Sequence, residues 1–255
     1  MIRKSIFTAM LAAAVLGMAG CSPKKPAAAE EREKWLDSLN DSIALYQKQT
    51  EEVNAALAAS QATVGELIGS FDYVNHAREV EGYHIYQGWQ GRYPLMTTGL
   101  VARVTESEGL ELIATLTGAH FNEIAAMSEG ETVQSDVVAH DQALNYRAGN
   151  LNTVCFSGNK ADSIGALIAS HEGASVNIVY LNGNRTGSLT LPADEKRMIA
   201  ATWRLYNAQK VMHENEKELS RLAGKINACR RILASREVAE ENAEDENTAE
   251  ENATE

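Results

Sequence analysis

The sequence predicts an α+β fold: a long antiparallel two-helix coiled-coil hairpin with a β-rich domain inserted between the helices. Three observations point to it. Met198, Leu205, Met212, Leu219, Ile226 and Leu233 recur on a seven-residue step without a slip, and an apolar residue held on that step lays one stripe along a helix, which needs a partner to leave water. Leu36, Ile43, Thr50, Leu57, Val64 and Phe71 make a second stripe of the same length. Between the two stripes the apolar period changes from seven to two, the repeat of strands with one face buried.

At the start of the chain, Arg3 and Lys4 precede an apolar run from Ile6 to Met18 that is too short for a comfortable membrane span, and the small pair Ala19-Gly20 precedes Cys21. Met18-Ala19-Gly20-Cys21 resembles the lipobox of bacterial lipoproteins, with Met18 where Leu is usual. The resemblance covers the first 21 residues and names no family for the mature domain. It implies that residues 1–20 are a signal peptide, that Cys21 is the acylated N-terminus, and that the membrane is a partner through that lipid. Ser22 differs from the Asp that retains such proteins at the inner membrane, so the outer membrane is favoured. Ser22-Pro23-Lys24-Lys25-Pro26 also lacks the acidic cluster that serves some lineages as a surface-export signal, which favours a periplasm-facing anchor.

Residues 21–30, rich in Pro, Lys and Ala, read as a lipidated tether. Residues 31–71 read as the first coiled-coil helix: Glu31 and Glu33 suit the positive end of its dipole, and no Pro or Gly interrupts it before Gly65. The second helix, 192–236, opens on Pro192, Asp194 and Glu195 and closes on Arg230, Arg231 and Arg236, each charge at the favourable end. Paired antiparallel, the two stripes match from end to end. The competing arrangement is a parallel oligomer in which each helix pairs with its copy.

Residues 72–191 form the β-rich domain. Leu100, Ala102 and Val104 alternate with polar or outward positions, Glu106-Ser107-Glu108-Gly109 turns the chain, and Leu110, Leu112, Ala114 and Leu116 return, which makes a hairpin. Val176, Ile178 and Tyr180 end in Asn182-Gly183, a strong turn signal, before Ser188 to Leu191. Shorter strands fit Phe121–Met127, Thr132–His140, Leu144–Arg147 and Leu151–Phe156, and Ala161–Ser170 reads as one short helix. About eight strands are expected. The tail, 237–255, holds nine acidic residues and no basic one; its composition cannot bury apolar surface and predicts disorder.

Function is less legible. The acidic tail carries most of the net charge of −12, so the body is near neutral, without the basic patch that nucleic-acid binding needs. The six histidines show no metal-ligand spacing and no C-x-x-C occurs, so neither a metal nor a cofactor is expected. Ser157-Gly158-Asn159-Lys160 matches S-x-x-K without its companion K-T-G, and no catalytic residue is assigned. Cys155 and Cys229 lie too far apart along the predicted fold to bridge.

One segment does stand out. Tyr83 to Tyr93 holds four aromatic side chains, Tyr83, Tyr86, Trp89 and Tyr93, interleaved with His84, Gln87, Gln90 and Arg92. Flat rings beside planar hydrogen-bonding groups suit a sugar ring or an extended peptide, so Tyr86, Gln87, Trp89, Gln90, Arg92 and Tyr93 are the candidate ligand-binding residues. The bland alternative makes Tyr83, Ile85 and Tyr86 packing residues of a strand. The expected function is a lipid-anchored envelope protein that holds its β-rich head away from the membrane to bind a carbohydrate, peptide or protein partner. The alternative is a structural spacer or assembly subunit acting through its coiled coil. Ile199, Trp203, Tyr206 and Val211, apolar but off the stripe, leave homo-oligomerisation open.

Overall fold

The computed structural model describes residues 25–75, 81–107 and 109–252, with side chains described from residue 32 to residue 236. The signal-like segment 1–20 and Cys21 lie outside the described residues. Among the described residues three α-helices and ten strands follow one another: α1 (Lys25–Ile68), β1 (Phe71–Val74), β2 (Tyr83–Tyr86), β3 (Gly99–Thr105), β4 (Leu110–Thr117), β5 (Glu123–Ser128), β6 (Glu131–Gln134), β7 (Asn145–Ala148), β8 (Leu151–Phe156), α2 (Gly158–Ser170), β9 (Asn177–Asn182), β10 (Asn184–Thr190) and α3 (Ala193–Asn252). The strands form two antiparallel sheets, six-stranded in the order β1-β2-β3-β4-β8-β7 and four-stranded in the order β10-β9-β5-β6.

Period-two alternation decides how the sheets pack. Leu100 and Ala102 of β3, Leu112 and Ala114 of β4 and Val154 and Phe156 of β8 share one face of the large sheet. They are buried together with Ile124, Ala126, Ile178 and Tyr180 of the small one. The Tyr180 hydroxyl donates across the interface to the Gly99 carbonyl at 3.1 Å, so even the polar tip of this buried ring is satisfied. Helix α2 covers the same core with Ala161, Ile164, Leu167 and Ile168. At the tip of the β9–β10 hairpin Gly183 has φ +69°, the left-handed conformation that the Asn-Gly turn requires.

The coiled-coil hairpin with an inserted β-rich domain is overturned: the molecule is a mixed α+β fold in which helices and sheets share their cores. Met198, the first member of the second stripe, lies in the main core of the sheets, next to Ile199. Leu205, the second member, is buried with Phe71 of β1 and Val104 of β3, and Val64, Leu67 and Ile68 of α1 close over that cluster. The physical reason is that a seven-residue step specifies a face that must leave water and does not specify what covers it. Here residues of the sheets cover Met198 and share the cover of Leu205 with α1, where a second helix alone was expected.

Two compact units divide the chain. One, Leu45–Asn227, joins the inner part of both long helices to all ten strands and α2. Within it α1 and α3 lie side by side around Ser60 and Ala208, and Lys225 stands 4.8 Å over the ring of Tyr46. The other unit holds the outer parts of α1 and α3, where the Arg236 guanidinium lies 4.8 Å over the ring of Trp35. Helix α3 continues to Asn252, through acidic sequence whose composition predicts no ordered element; Ala and Glu are strong helix formers, and no Pro or Gly stops the backbone there. No described helix is long and apolar enough to cross a membrane. Cys155 and Cys229 are both thiols, with no disulfide between them.

Candidate functional site

The large sheet has a second face, turned away from the small sheet, and the candidate site is on it. By register this face carries Asp72 and Val74 of β1, Tyr83 and Ile85 of β2, Arg103 of β3, Ile113, Thr115 and Thr117 of β4, Thr153 of β8 and Tyr146 of β7. The connection from β2 to β3, residues 87–98, folds back across it as a strap. The strap begins with one 3-10 turn, Gln87–Trp89, and is held by hydrogen bonds from the amides of Arg92 and Tyr93 to the Trp89 carbonyl at 2.9 and 3.0 Å. The Tyr93–Pro94 peptide is cis.

Two adjoining cavities remain around the strap. One, of about 450 Å³, is lined by Asp72, Val74, Tyr83, Ile85, Trp89, Gln90, Tyr93, Pro94 and Tyr146. The other, of about 380 Å³, takes in Leu95, Met96, Ile113, Thr115, Leu151 and Thr153, and shares Tyr93, Pro94 and Tyr146 with the first. That sharing defines the shape. β1 and β7 are opposite edges of a six-stranded sheet, which if flat would stand roughly 24 Å apart at the usual strand spacing. Asp72 and Tyr146 nevertheless line one cavity, so the sheet curls and the cavities form a cleft in its concave side.

Two residues of the lining, Tyr83 and Tyr93, rest on a polar network. Arg103 donates to Glu111 across the β3–β4 pair at 2.6 Å and to the Tyr93 hydroxyl at 3.3 Å, and its guanidinium lies 4.2 Å from the centre of the Tyr83 ring. Both partners of the ion pair are mostly buried, at 12% and 19% side-chain exposure, and such a pair is stabilising only when its remaining groups are also engaged. Tyr83 meets Tyr93 edge to face at 6.2 Å.

The chain matches no known family model, no curated protein and no solved structure.

The six residues singled out in the sequence therefore rest on this geometry alone, and it separates them. Trp89, Gln90 and Tyr93 come together in the cleft. Trp89 is only 1% exposed, a core residue at the cleft wall and no open stacking platform. Its indole N–H has no partner among the described residues. Gln90 donates to the Asp72 carboxylate at 2.7 Å. Tyr86 faces the other way, edge-on to Phe71 at 5.4 Å in the cluster under the helices. Gln87 is exposed on the 3-10 turn. Arg92 leaves the cleft to bridge Asp194 and Glu195 at 2.8 and 2.6 Å, with its guanidinium 5.0 Å from the centre of the Trp89 ring. It ties the strap to the first turn of α3.

Those two carboxylates shift in opposite directions. The Arg92 hydrogen bond holds Asp194 below the usual carboxylate range, whereas burial raises Glu195 and Arg92 offsets that only in part. Sequence reasoning missed Tyr146, Asp72, Ile113, Thr115 and Thr153. No signal on the single strand marks them, because what unites them is the curl of the sheet.

Proposed function

We propose that this chain is a lipid-anchored protein of the bacterial cell envelope, acylated at Cys21, that binds a carbohydrate, peptide or protein partner in the cleft of its curled sheet. The lipobox resemblance supports the anchor and favours the periplasmic side of the outer membrane. The observation that carries the binding reading is the pair of cavities joined at Tyr93, Pro94 and Tyr146. Concave, largely apolar sites with a few polar groups are where ligands bind, and here the polar groups are already fixed by Arg103, Glu111 and the Asp72–Gln90 pair. The reading is of binding and not catalysis, since no nucleophile and base stand together in the cleft lining. Met96, 80% exposed at the rim, adds apolar surface to it.

A photo-crosslinking amino acid placed at Met96, in cells that make the protein, tests this reading. The expected result is one adduct of defined mass that is absent when the same group replaces Glu214, exposed on α3. Equal, diffuse labelling at both positions counts against the cleft.

One observation favours the assembly reading. A groove of about 550 Å³ between α1 and α3, lined by Ala56, Ala59, Leu67, Trp203 and Val211, is open and mostly apolar. Yet three of the four off-stripe residues that suggested self-association are used within the chain. Ile199 is in the main core, Tyr206 packs on the helix-covered cluster, and Trp203 packs on Gly165 of α2 while donating to Asp162 at 3.0 Å.

A further inference from the structure

Among the residues that line the two cavities of the cleft, Asp72 alone is charged. Its one hydrogen-bond partner among the described residues is the neutral Gln90 amide, so a half-buried carboxylate stands at the wall without a cation. Among the described residues, the two arginines at the strap and on this face of the sheet are already matched: Arg103 by Glu111, and Arg92 by two carboxylates, Asp194 and Glu195. These described groups together therefore carry surplus negative charge.

Four aromatic rings, Tyr83, Trp89, Tyr93 and Tyr146, share the same cavity with Asp72. Ring faces attract cations through their quadrupole, and the attraction grows as water is excluded. This wall already uses it twice, with Arg103 over Tyr83 and Arg92 over Trp89. One carboxylate amid aromatic and aliphatic walls does not suit a hard divalent ion, which needs six or more oxygen ligands. An organic ammonium group fits both features, giving a charge-assisted hydrogen bond to the carboxylate and laying its methylenes on Tyr93 and Tyr146, the two rings of the cavity that are not buried.

We propose that the Asp72 end of the cleft is a subsite for an alkylammonium group, supplied by a lysine side chain of a bound peptide or by a free amine. This rests on the cleft being the binding site.

The test is a titration of the ¹⁵N-labelled protein with n-butylammonium chloride and, separately, with n-butanol, its neutral counterpart, at constant ionic strength. The expected result is saturable shifts of the Trp89 indole and Gln90 side-chain amide signals with the ammonium and none with the alcohol, and binding weakened roughly tenfold or more in Asp72→Asn, as loss of a charge-assisted contact implies. Equal shifts with the alcohol, or unchanged affinity in Asp72→Asn, overturn the ammonium subsite and leave the cleft standing as a binding site. If neither probe moves a cleft signal, both readings fail. The wild-type comparison of the two probes holds even if the variant is unstable. A parallel titration with Nα-acetyl-lysine methylamide separates the sources: tighter binding than butylammonium assigns a peptide lysine, weaker binding a free amine.

Discussion

Trp89 shows how much one side chain can be misread from its type. In the sequence it stands among Gln and Arg as a platform for a ligand; in the fold it is a buried wall of the cleft, in contact with the core of the sheets. Trp89→Ala is expected to cost about 3–5 kcal/mol of stability, the usual penalty for emptying so large a buried site. Trp89→Phe keeps most of the packing and removes the unpartnered N–H, so its cost should be about 1 kcal/mol or less. Urea denaturation measures both; near-wild-type stability of Trp89→Ala would return the ring to the surface. Arg92 gives a pH-dependent prediction. Asp194, lowered in the folded chain, contributes stability that is present above its unfolded pKa and lost as pH falls through the folded one. Glu195, raised by burial, has the opposite sign: its charged form costs stability above the folded pKa, and the cost is relieved as pH falls. Arg92→Met removes the cation from both, so carboxyl-carbon NMR titrations should show both pKa values rising, and stability near neutral pH should fall relative to the wild type by more than it does in acid.

At the scale of elements, legibility followed locality. The β3–β4 and β9–β10 hairpins could be read because alternation and a turn signal lie within about twenty residues of each other, and α2 because its apolar face repeats at helical spacing. Phe71, the first residue of β1, falls within the expected first helix because it continues that helix's seven-residue step, and only the fold shows it buried against Val104 and Leu205. The cleft was half legible. Trp89, Gln90 and Tyr93 are neighbours in sequence, whereas Tyr146 and Asp72 reach them only through the ladder of six strands. The contact of α2 with α3 is likewise non-local, and it is testable. A Cβ at Gly165 would lie 2.6 Å from the rigid indole of Trp203 and 3.0 Å from a methyl of the buried Leu110. Gly165→Val should destabilise by about 1–3 kcal/mol through overpacking, even though glycine is the poorer helix former. A rise in melting temperature on that substitution would mean that α2 does not pack there.

For the whole molecule, the two proposals to be tested are the anchor and the working surface. Metabolic labelling with palmitate should mark the wild-type chain and leave Cys21→Ala unlabelled and released from membranes. Ile199, Trp203 and Tyr206 are spent inside the chain, and the large apolar side chains that the two long helices leave exposed, Trp35, Leu45, Val211 and Ile232, are scattered along them and form no single patch. The unlipidated Cys21→Ala chain is accordingly expected to sediment as a monomer. Hydrogen–deuterium exchange with and without a detergent extract of the native envelope decides between the cleft and the helix groove as the working surface, because it reports on both together. Added protection is expected in the strap, residues 87–98, and in β7, with α1 and α3 unchanged. Protection confined to residues 56–67 and 203–211, with the strap unaffected, would contradict the cleft reading.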